Sequence, residues 1–298
     1  MLACRAASSS PTSWVLRSAR PRPGAVGVTR KQLRRPALVI PFRGVRLLPG
    51  HESWEERLLA LSRGLRADAV FSHTTAARLW RLPLPQRLAR DDAPIHVTVP
   101  SGAPQPRGAA VTGHRADREP DALRGLAVTT LLDTWCDLAA LLTRDDLVAA
   151  GDAVLNRAPD GDAGSYTAHD LRTAWDRLAA RRGAARMHEA VELVRPGSAS
   201  PRESLARLRF HDWGLPEPEL NADLFGPIGW IACLDFLWRS RGVAGEYHGE
   251  HHGRQWREDY RRQAMITDVG CTLVVMTSYD LGPGADDLRR RLTRLLLD

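Results

Sequence analysis

The chain has 298 residues, a formal net charge of +7 and four scattered cysteines, Cys4, Cys136, Cys233 and Cys271. Its length favours two domains, because a domain usually holds about 100 to 200 residues, and the absence of any CxxC pair argues against a zinc ribbon or a disulfide framework. No apolar run reaches the roughly 18 residues that a membrane crossing needs, so we expect a cytoplasmic protein with no membrane partner.

The positive charge is concentrated at the start of the chain. Residues 1–50 hold ten Arg and Lys residues and no Asp or Glu, so the remainder carries 7 − 10 = −3. An anionic partner such as DNA is therefore expected at this end. Residues 1–24, rich in Arg and Ser, superficially suit a transit peptide. We interpret them as a disordered extension, or as the product of a start codon placed too far upstream.

A basic helix followed by a small hairpin is predicted next. Residues 27–35 form the helix, with Thr29 as its N-cap, and residues 37–40 and 42–48 form strands that meet at a turn. This order is compatible with a winged helix. A solvated basic edge is the alternative, because charge runs are usually surface. In a winged helix, the residues placed near DNA phosphates would be Arg30, Lys31, Arg34, Arg35 and Arg43.

The middle of the chain is predicted to be mainly helical. The alternation in residues 95–99 indicates one strand, with His96 and Thr98 on one face. His73 is interpreted as a capping or core-edge histidine, since no nucleophile or acid is nearby in sequence, and Asp133 and Asp137 as surface or locally hydrogen-bonded acids. The predicted helices cover residues 55–66, 71–80, 128–138, 145–156, 169–180 and 184–194.

The turn-rich residues 195–201 break this pattern, so we place a domain boundary there. Residues 25–195 then form a mixed, mainly helical domain, and residues 200–298 form a second domain with the order α-β-β-β-α-β-α. Its predicted helices cover residues 200–214, 254–267 and 286–297, and its predicted strands cover residues 219–224, 229–237, 243–247 and 272–277. The whole chain is therefore expected to have a mixed α/β (α+β) fold.

Two acids stand at the ends of the central strands of this second domain. Asp235 follows an apolar run, where an unpaired carboxylate costs several kcal/mol unless a cation compensates it. Glu246 has a similar position on the next strand, and a hairpin would let both reach one Mg²⁺ or Mn²⁺ ion. Glu203, on the preceding helix, could supply a third oxygen or orient a water molecule. The pattern predicts a metal-dependent phosphodiesterase site.

The histidines near Glu246 leave alternatives open. His248, His251 and His252, with Glu246 and Glu250, could bind zinc, or the segment could be a non-catalytic polar turn. If the ion is Mg²⁺ or Mn²⁺, His248 or His252 is expected to act as an acid or a phosphate donor. The following helix carries three arginines that we expect to hold the DNA backbone: Arg254, Arg257 and Arg261.

The second domain resembles a known family across residues 200–281. The motifs that carry the resemblance are SPRE at 200–203, GLPEP at 214–218, LDF at 234–236, EYHG at 246–249 with His252, WRED at 256–259 with Arg262, and Gly270 before the last strand. They resemble the DUF559 group of endonuclease-like domains, which is similar to very-short-patch repair endonucleases and to the PD-(D/E)XK restriction-nuclease superfamily.

This resemblance implies a restriction-endonuclease-like mixed sheet flanked by helices, with Glu203, Asp235 and Glu246 as the acidic site. Many relatives carry Asp where this chain has His248, and the superfamily pattern would put Lys there to position the attacking water. The very-short-patch enzymes are similar to this chain at that place, with a His-Gly pair. The histidine therefore removes one metal ligand and supplies a proton donor.

Residues 27–139 resemble the part that often precedes this domain in actinobacterial proteins, which is related to abortive-infection antitoxins that begin with a winged helix. The markers are RGV at 43–45, the helix at 72–82 with RLP at 81–83, VTVP at 97–100, and residues 129–138. The resemblance implies a truncated winged helix in this chain.

Two functions follow from these patterns. The first is a metal-dependent DNA endonuclease, and the second is a DNA-binding regulator or antitoxin-like protein whose nuclease-like domain is catalytically silent. A homodimer is compatible with both.

Overall fold

The computed structural model describes residues 15–17, 36, 38–42, 45–108, 110–157, 166–177, 182–249 and 256–298, with the backbone alone for 15–17 and 256–259. The fold is mixed α/β, as the sequence predicts. The chain divides into two units, one ending at Thr130 and the other beginning at Leu131, except that Arg81–Pro85 groups with the second. Residues 195–200, where the sequence predicts a domain boundary, lie inside the second unit, hereafter the C-terminal unit, and the predicted division into domains stays a prediction.

The N-terminal unit is built around a six-stranded mixed sheet with the strand order β5-β6-β4-β3-β8-β7. A separate antiparallel pair, β1 and β2, precedes it. Its elements, in chain order, are β1 (Val15–Arg17), β2 (Val45–Leu47), α1 (Trp54–Ser62), β3 (Val70–Phe71), α2 (His73–Leu79), α3 (Gln86–Ala89), β4 (Ile95–Val99), β5 (Arg107–Gly108), β6 (Val111–Arg115), β7 (Pro120–Leu123) and β8 (Leu126–Thr129).

The predicted hairpin after the basic helix is present in part. Val39 and Leu47 exchange two backbone hydrogen bonds of 3.0 and 2.9 Å, so the chain turns back between them as predicted. The predicted helix at 27–35, with Arg30, Lys31, Arg34 and Arg35, lies outside the described residues. The winged helix therefore stays a prediction.

The start of the predicted helix at 128–138 is wrong. Val128 and Thr129 belong to strand β8, and the helix begins at Leu131. Val128 is fully buried and pairs in parallel with Phe71 of β3. Pairing inside a sheet thus overrides the local helical pattern.

The C-terminal unit combines helices with a four-stranded sheet in the order β12-β11-β10-β9. The sheet is antiparallel except for the parallel pair β11 and β12. The order predicted for residues 200–298 is confirmed. The elements are α4 (Leu131–Leu138), α5 (Arg144–Leu155), α6 (Ala168–Arg177), α7 (Ala184–Leu193), α8 (Pro201–Asp212), β9 (Glu219–Gly226), β10 (Gly229–Trp238), β11 (Val243–Tyr247), α9 (Trp256–Asp268), β12 (Thr272–Met276) and α10 (Ala285–Leu296).

Two acids of helix α4 are buried, contrary to the sequence expectation. Asp133 and Asp137 have exposures of only 3% and 7%. Asp133 forms an ion pair with Arg177 of helix α6, which provides the counter-charge that a buried carboxylate requires. Burial excludes the surface position that was one of the two expectations for these acids. The pattern of a single helix could not show which neighbouring helix would cover them.

A buried ion pair fastens helix α8 to helix α5. Arg207 Nη2 donates to Asp152 Oδ2 at 3.0 Å, and both side chains are almost fully enclosed. Ser200 caps α8 by accepting a hydrogen bond from the Glu203 amide, and Pro201 fills the first turn, where a missing amide hydrogen costs nothing. This pair is one reason why the helices before residue 195 belong to the same unit as the four-stranded sheet.

The hairpin of β10 and β11 brings the two predicted metal ligands, Asp235 and Glu246, close together. Phe236 pairs with Gly245, and continuing that register by one residue places Asp235 opposite Glu246. A Cβ on Gly245 would lie 3.2 Å from the Phe236 Cβ, so glycine permits this close approach. Opposed residues of an antiparallel pair project to the same face, which is the arrangement a shared ion needs.

No helix among the described residues combines the length and the apolar character that a membrane crossing requires.

Candidate active site

The three acids predicted from the sequence converge from three elements of the C-terminal unit. Glu203 lies in the first turn of α8, Asp235 on β10 and Glu246 on β11. Glu203 and Glu246 are near enough for their charges to raise the pKa of Asp235. Asp235 does not end its strand as predicted, since β10 continues to Trp238. Asp235 therefore lies within the sheet, three residues before the end of its strand.

Asp235 is a partly buried carboxyl group with one clear partner. Its Oδ2 accepts a hydrogen bond of 2.7 Å from the Tyr247 amide. Burial, reinforced by the charges of Glu203 and Glu246, raises the pKa of Asp235 despite that bond. The ionised form of Asp235 is thus destabilised by burial, and a bound cation would stabilise it.

Glu246 is 5% exposed and faces an arginine. Its Oε2 accepts a hydrogen bond of 3.2 Å from Arg262 Nη1, while Nη2 of Arg262 lies 2.5 Å from Oε1. Despite that close contact, Oε1 has no hydrogen-bond partner among the described residues. The ion pair with Arg262 offsets part of the cost of burying this oxygen, and a bound cation would offset more of it.

Glu203 holds the start of its helix in place. Its Oε2 accepts hydrogen bonds from the Ala199 amide at 2.7 Å and from Asn221 Nδ2 at 3.0 Å. Asn221 belongs to β9, so this carboxylate also joins α8 to the sheet. These contacts suit a supporting acid more than a direct ligand, which agrees with the role that the sequence suggested.

His248 follows β11 and lies beside Glu246. Its amide donates a hydrogen bond of 2.7 Å to the Met276 carbonyl of β12, and its ring Nε2 is 3.4 Å from Glu246 Oε2. The side chain is 30% exposed, so a substrate could reach it. His251, His252 and Arg254 lie outside the described residues, as does the side chain of Arg257.

Of the three arginines predicted to hold DNA, the described side chain is that of Arg261, which is exposed on α9. Its neighbour Arg262 points into the site, where it contacts Glu246 and donates a 2.9 Å hydrogen bond to the Cys233 carbonyl. Sequence reasoning gave Arg262 no role of its own. The available signal was helical spacing, because only one of two adjacent arginines on a helix can face the sheet.

His73 was expected to cap a helix or lie at the core edge. It begins α2, and its Nδ1 is 2.9 Å from Ser72 Oγ. It also lies in a cluster with His96 and His114, hereafter the histidine trio. The possible ligand atoms of these three side chains all lie within 4.8 Å of one another, and among the described residues no other group of three or more His, Cys, Asp or Glu side chains is this close. The three acids of the C-terminal unit are not gathered that tightly.

Burial, with a smaller contribution from the charge of His114, lowers the pKa of His96 to about 4. Burial also lowers the pKa of His114. His96 is therefore neutral near pH 7, and the shift of His114 favours its neutral form.

The fold and the site together describe a mixed α/β protein in which three carboxylates and an arginine cluster beside the four-stranded sheet. Comparison with known proteins adds relatives and no activity. Two matches, the uncharacterized proteins MT2308 and Rv2248 of two Mycobacterium tuberculosis strains, are each 27% identical to this chain over 242 residues, which is 80% of this chain and 83% of theirs. No family model matches the chain, and no solved structure matches it.

Proposed function

We propose that this protein is a metal-dependent DNA endonuclease whose site is formed by Asp235, Glu246 and Glu203. The convergence of these acids from α8, β10 and β11 carries the proposal, because carboxylates gathered on one face are the ligands that hard divalent cations prefer. The resemblance of residues 200–281 to endonuclease-like domains supports the same reaction.

The residues present fit a divalent cation. Glu246 Oε1 is buried and makes no hydrogen bond among the described residues, although Arg262 Nη2 lies 2.5 Å away. Burial and the charges of Glu203 and Glu246 raise the pKa of Asp235 by more than the Tyr247 amide and Arg262 lower it, so added positive charge would stabilise its ionised form. Asp235 and Glu246 would hold Mg²⁺ or Mn²⁺. A bound ion would supply positive charge at the scissile phosphate and a more acidic water.

The protein's own groups have separate tasks in this proposal. Arg262 fixes the orientation of Glu246, since it contacts both carboxylate oxygens. His248 is partly exposed beside Glu246 and can protonate the departing oxygen, or donate to a phosphate oxygen. Glu203 keeps the start of α8 against β9 through Asn221 and so sets the third wall of the site. Arg261, exposed on the next helix, is placed to contact the DNA backbone.

Cleavage of DNA tests the proposal directly. The wild-type protein is incubated with supercoiled plasmid and with single-stranded DNA, in EDTA and with Mg²⁺ or Mn²⁺. Cleavage is expected only with metal, and Asp235→Asn and Glu246→Gln should each reduce it at least about a hundredfold, a loss typical of removing one main electrostatic group.

A matched control uses another glutamate of the same sheet. Glu219 on β9 is also paired with an arginine, Arg239, but it is about half exposed. Glu219→Gln should retain full cleavage. Activity that survives Asp235→Asn would show that the cleavage comes from another site or a contaminant, and would refute the assignment.

A DNA-binding regulator with a silent nuclease-like unit is the second candidate. The observation that favours it is the pairing of Glu246 with Arg262 at 2.5 Å, because a guanidinium already supplies countercharge at the predicted ligand. DNA binding in a gel-shift assay, combined with no cleavage in either metal, is the result expected from this alternative.

A further inference from the structure

Three histidines from separate parts of the sequence meet on one face of the N-terminal sheet. His96 lies on β4 and His114 on the parallel neighbour β6, whose register pairs His114 with Thr98. Residues two apart on a strand share a face, so His96 and His114 project to the same side. His73, at the start of α2, stacks on His114 with ring centroids 3.7 Å apart.

The backbone is constrained at two of these positions. His73 has φ of +50°, a left-handed conformation that a residue other than glycine adopts at a cost of roughly 1 kcal/mol or more. Gly113, next to His114, lies where a Cβ would be only 2.3 Å from the Pro106 carbonyl oxygen. The close approach of residue 106 thus fixes β6, and with it the position of His114.

Hydroxyl groups orient the cluster. Thr98 Oγ1 donates a hydrogen bond of 2.8 Å to Ser72 Oγ, which in turn lies 2.9 Å from His73 Nδ1. Ser72 and Thr98 are both buried. A hydrogen bond donated from Nδ1 of His73 to Ser72 Oγ would place the ring proton on Nδ1 and a lone pair on Nε2, which is how a hydrogen bond to one ring nitrogen selects the tautomer that binds a metal.

We propose that the histidine trio of His73, His96 and His114 binds a transition-metal ion of the Zn²⁺, Co²⁺ or Ni²⁺ type. A set of imidazoles selects these borderline ions over Mg²⁺ or Ca²⁺, which prefer oxygen. The proposal is independent of the acidic site, which lies in the other unit. Three protein ligands leave one position of a tetrahedral ion open to water or a small anion.

One distance in the histidine trio, that between two hydrogen-bonded rings, is close to the spacing of ligands around a bound ion. His96 Nδ1 and His114 Nε2 are 2.9 Å apart, against about 3.3 Å for two nitrogens on a tetrahedral zinc ion with Zn–N bonds of about 2.05 Å. The rings stack within 12° to 23° of parallel. Since a lone pair lies in its ring plane, the rings must turn for three lone pairs to converge, so binding should change the histidine ring environment.

The experiment is a metal titration of full-length protein freed of metal by chelation. Isothermal titration calorimetry with Zn²⁺ and visible absorption with Co²⁺ should each give one equivalent, with intense Co²⁺ bands of a tetrahedral site. His73→Asn, chosen because Asn tolerates the left-handed backbone, and His114→Gln should each weaken binding more than about tenfold, since even changes outside the ligand set typically cost that much.

Two controls locate the ion. His188→Gln removes an exposed histidine of α7 and should leave binding unchanged. A second variant, with His248, His251 and His252 all changed to Gln, removes the other histidine-rich segment and should also retain one tightly bound equivalent. Circular dichroism and thermal unfolding in chelator verify that each variant folds, and changes in the wild-type histidine ring NMR signals on adding Zn²⁺ need no variant.

Three results would overturn the proposal. The first is no Zn²⁺ or Co²⁺ binding by the wild type, and the second is full binding by folded His73→Asn and His114→Gln. The third is loss of the bound equivalent only when the histidines at 248, 251 and 252 are changed. None of these results depends on whether the protein cleaves DNA, so the two proposals fail separately.

Discussion

The buried ion pair between helices α5 and α8 offers a sharp test of the C-terminal unit. Asp152 is 1% exposed and Arg207 3% exposed. Arg207 Nη2 reaches both Asp152 oxygens, at 3.3 and 3.0 Å, and the Leu193 carbonyl at 2.8 Å. Asp152 Oδ1 also accepts a 2.7 Å hydrogen bond from the Arg195 amide. Removing either side chain leaves a buried charge and several broken hydrogen bonds.

The expected magnitude follows from that geometry. Asp152→Ala leaves the guanidinium of Arg207 with Leu193 as its remaining identified acceptor and the Arg195 amide without its acceptor, so we expect a loss of about 3 to 5 kcal/mol in the free energy of unfolding. At about 2 to 4 °C per kcal/mol for a unit of this size, Tm should fall by about 6 to 20 °C. Replacing both partners, in Asp152→Leu with Arg207→Met, should cost far less than the two single changes together.

The assay is urea unfolding, followed by circular dichroism, of the wild type, Asp152→Leu, Arg207→Met and the variant with both changes, which form a double-mutant cycle. Asp152→Ala is measured beside them. Glu219→Ala is the matched control, because it breaks the exposed ion pair with Arg239 and should cost about 1 kcal/mol or less. Single changes at Asp152 and Arg207 that each cost under about 1 kcal/mol and add without coupling would refute the claim that this pair fastens α8 to α5.

Three further predictions concern other sites. First, because burial raises the pKa of Asp235, its contribution to stability is fully present below the unfolded value of about 3.9 and is lost as the pH rises through the raised value. In EDTA, the free energy of unfolding relative to Asp235→Asn should fall across that window, and urea titrations at a series of pH values would measure it. Second, Gly151→Ala should destabilise the protein by about 1 to 3 kcal/mol in a urea titration, because the new Cβ would lie 2.4 Å from Val194 Cγ1. This clash outweighs the gain of about 1 kcal/mol that alanine brings to a helix. Third, Trp238→Phe should lower Tm, since it removes the 2.7 Å hydrogen bond from Trp238 Nε1 to the Pro216 carbonyl and leaves a cavity where the larger buried indole packs.

The C-terminal unit could be predicted well from its sequence because its strands are long and its turns are marked. The ten-residue strand β10 and the five-residue strands β11 and β12 carry apolar runs, bounded by glycines such as Gly229 and Gly242 that adopt positive φ. An acid within a buried apolar run, as Asp235 is, is unusual enough to mark a candidate site. Here local pattern and tertiary structure agree.

The N-terminal sheet could not be predicted in the same way. Strands β3 and β5 have two residues each, and β7 and β8 have four, which is too short for an alternating pattern to stand out. His96 could be placed on a strand face, but His114 lies on β6, which no local pattern marked. The histidine trio depends on the parallel pairing of β4 and β6, a contact between residues 18 positions apart.

Arg262 is the residue at which the two candidate functions meet. A guanidinium beside Glu246 offsets the cost of burying that carboxylate, and so would a divalent cation. The two need not exclude each other, because Oε2 accepts the hydrogen bond from Arg262 while Oε1 accepts none among the described residues. Arg262 Nη2 nevertheless lies 2.5 Å from Oε1, so a cation bound there would share this oxygen with the guanidinium. Burial also raises the pKa of the neighbouring Asp235, and Arg262 offsets only part of that rise. The two candidate functions therefore differ in what must neutralise the site: the endonuclease requires a cation beside Asp235 and Glu246, whereas the silent unit requires only Arg262.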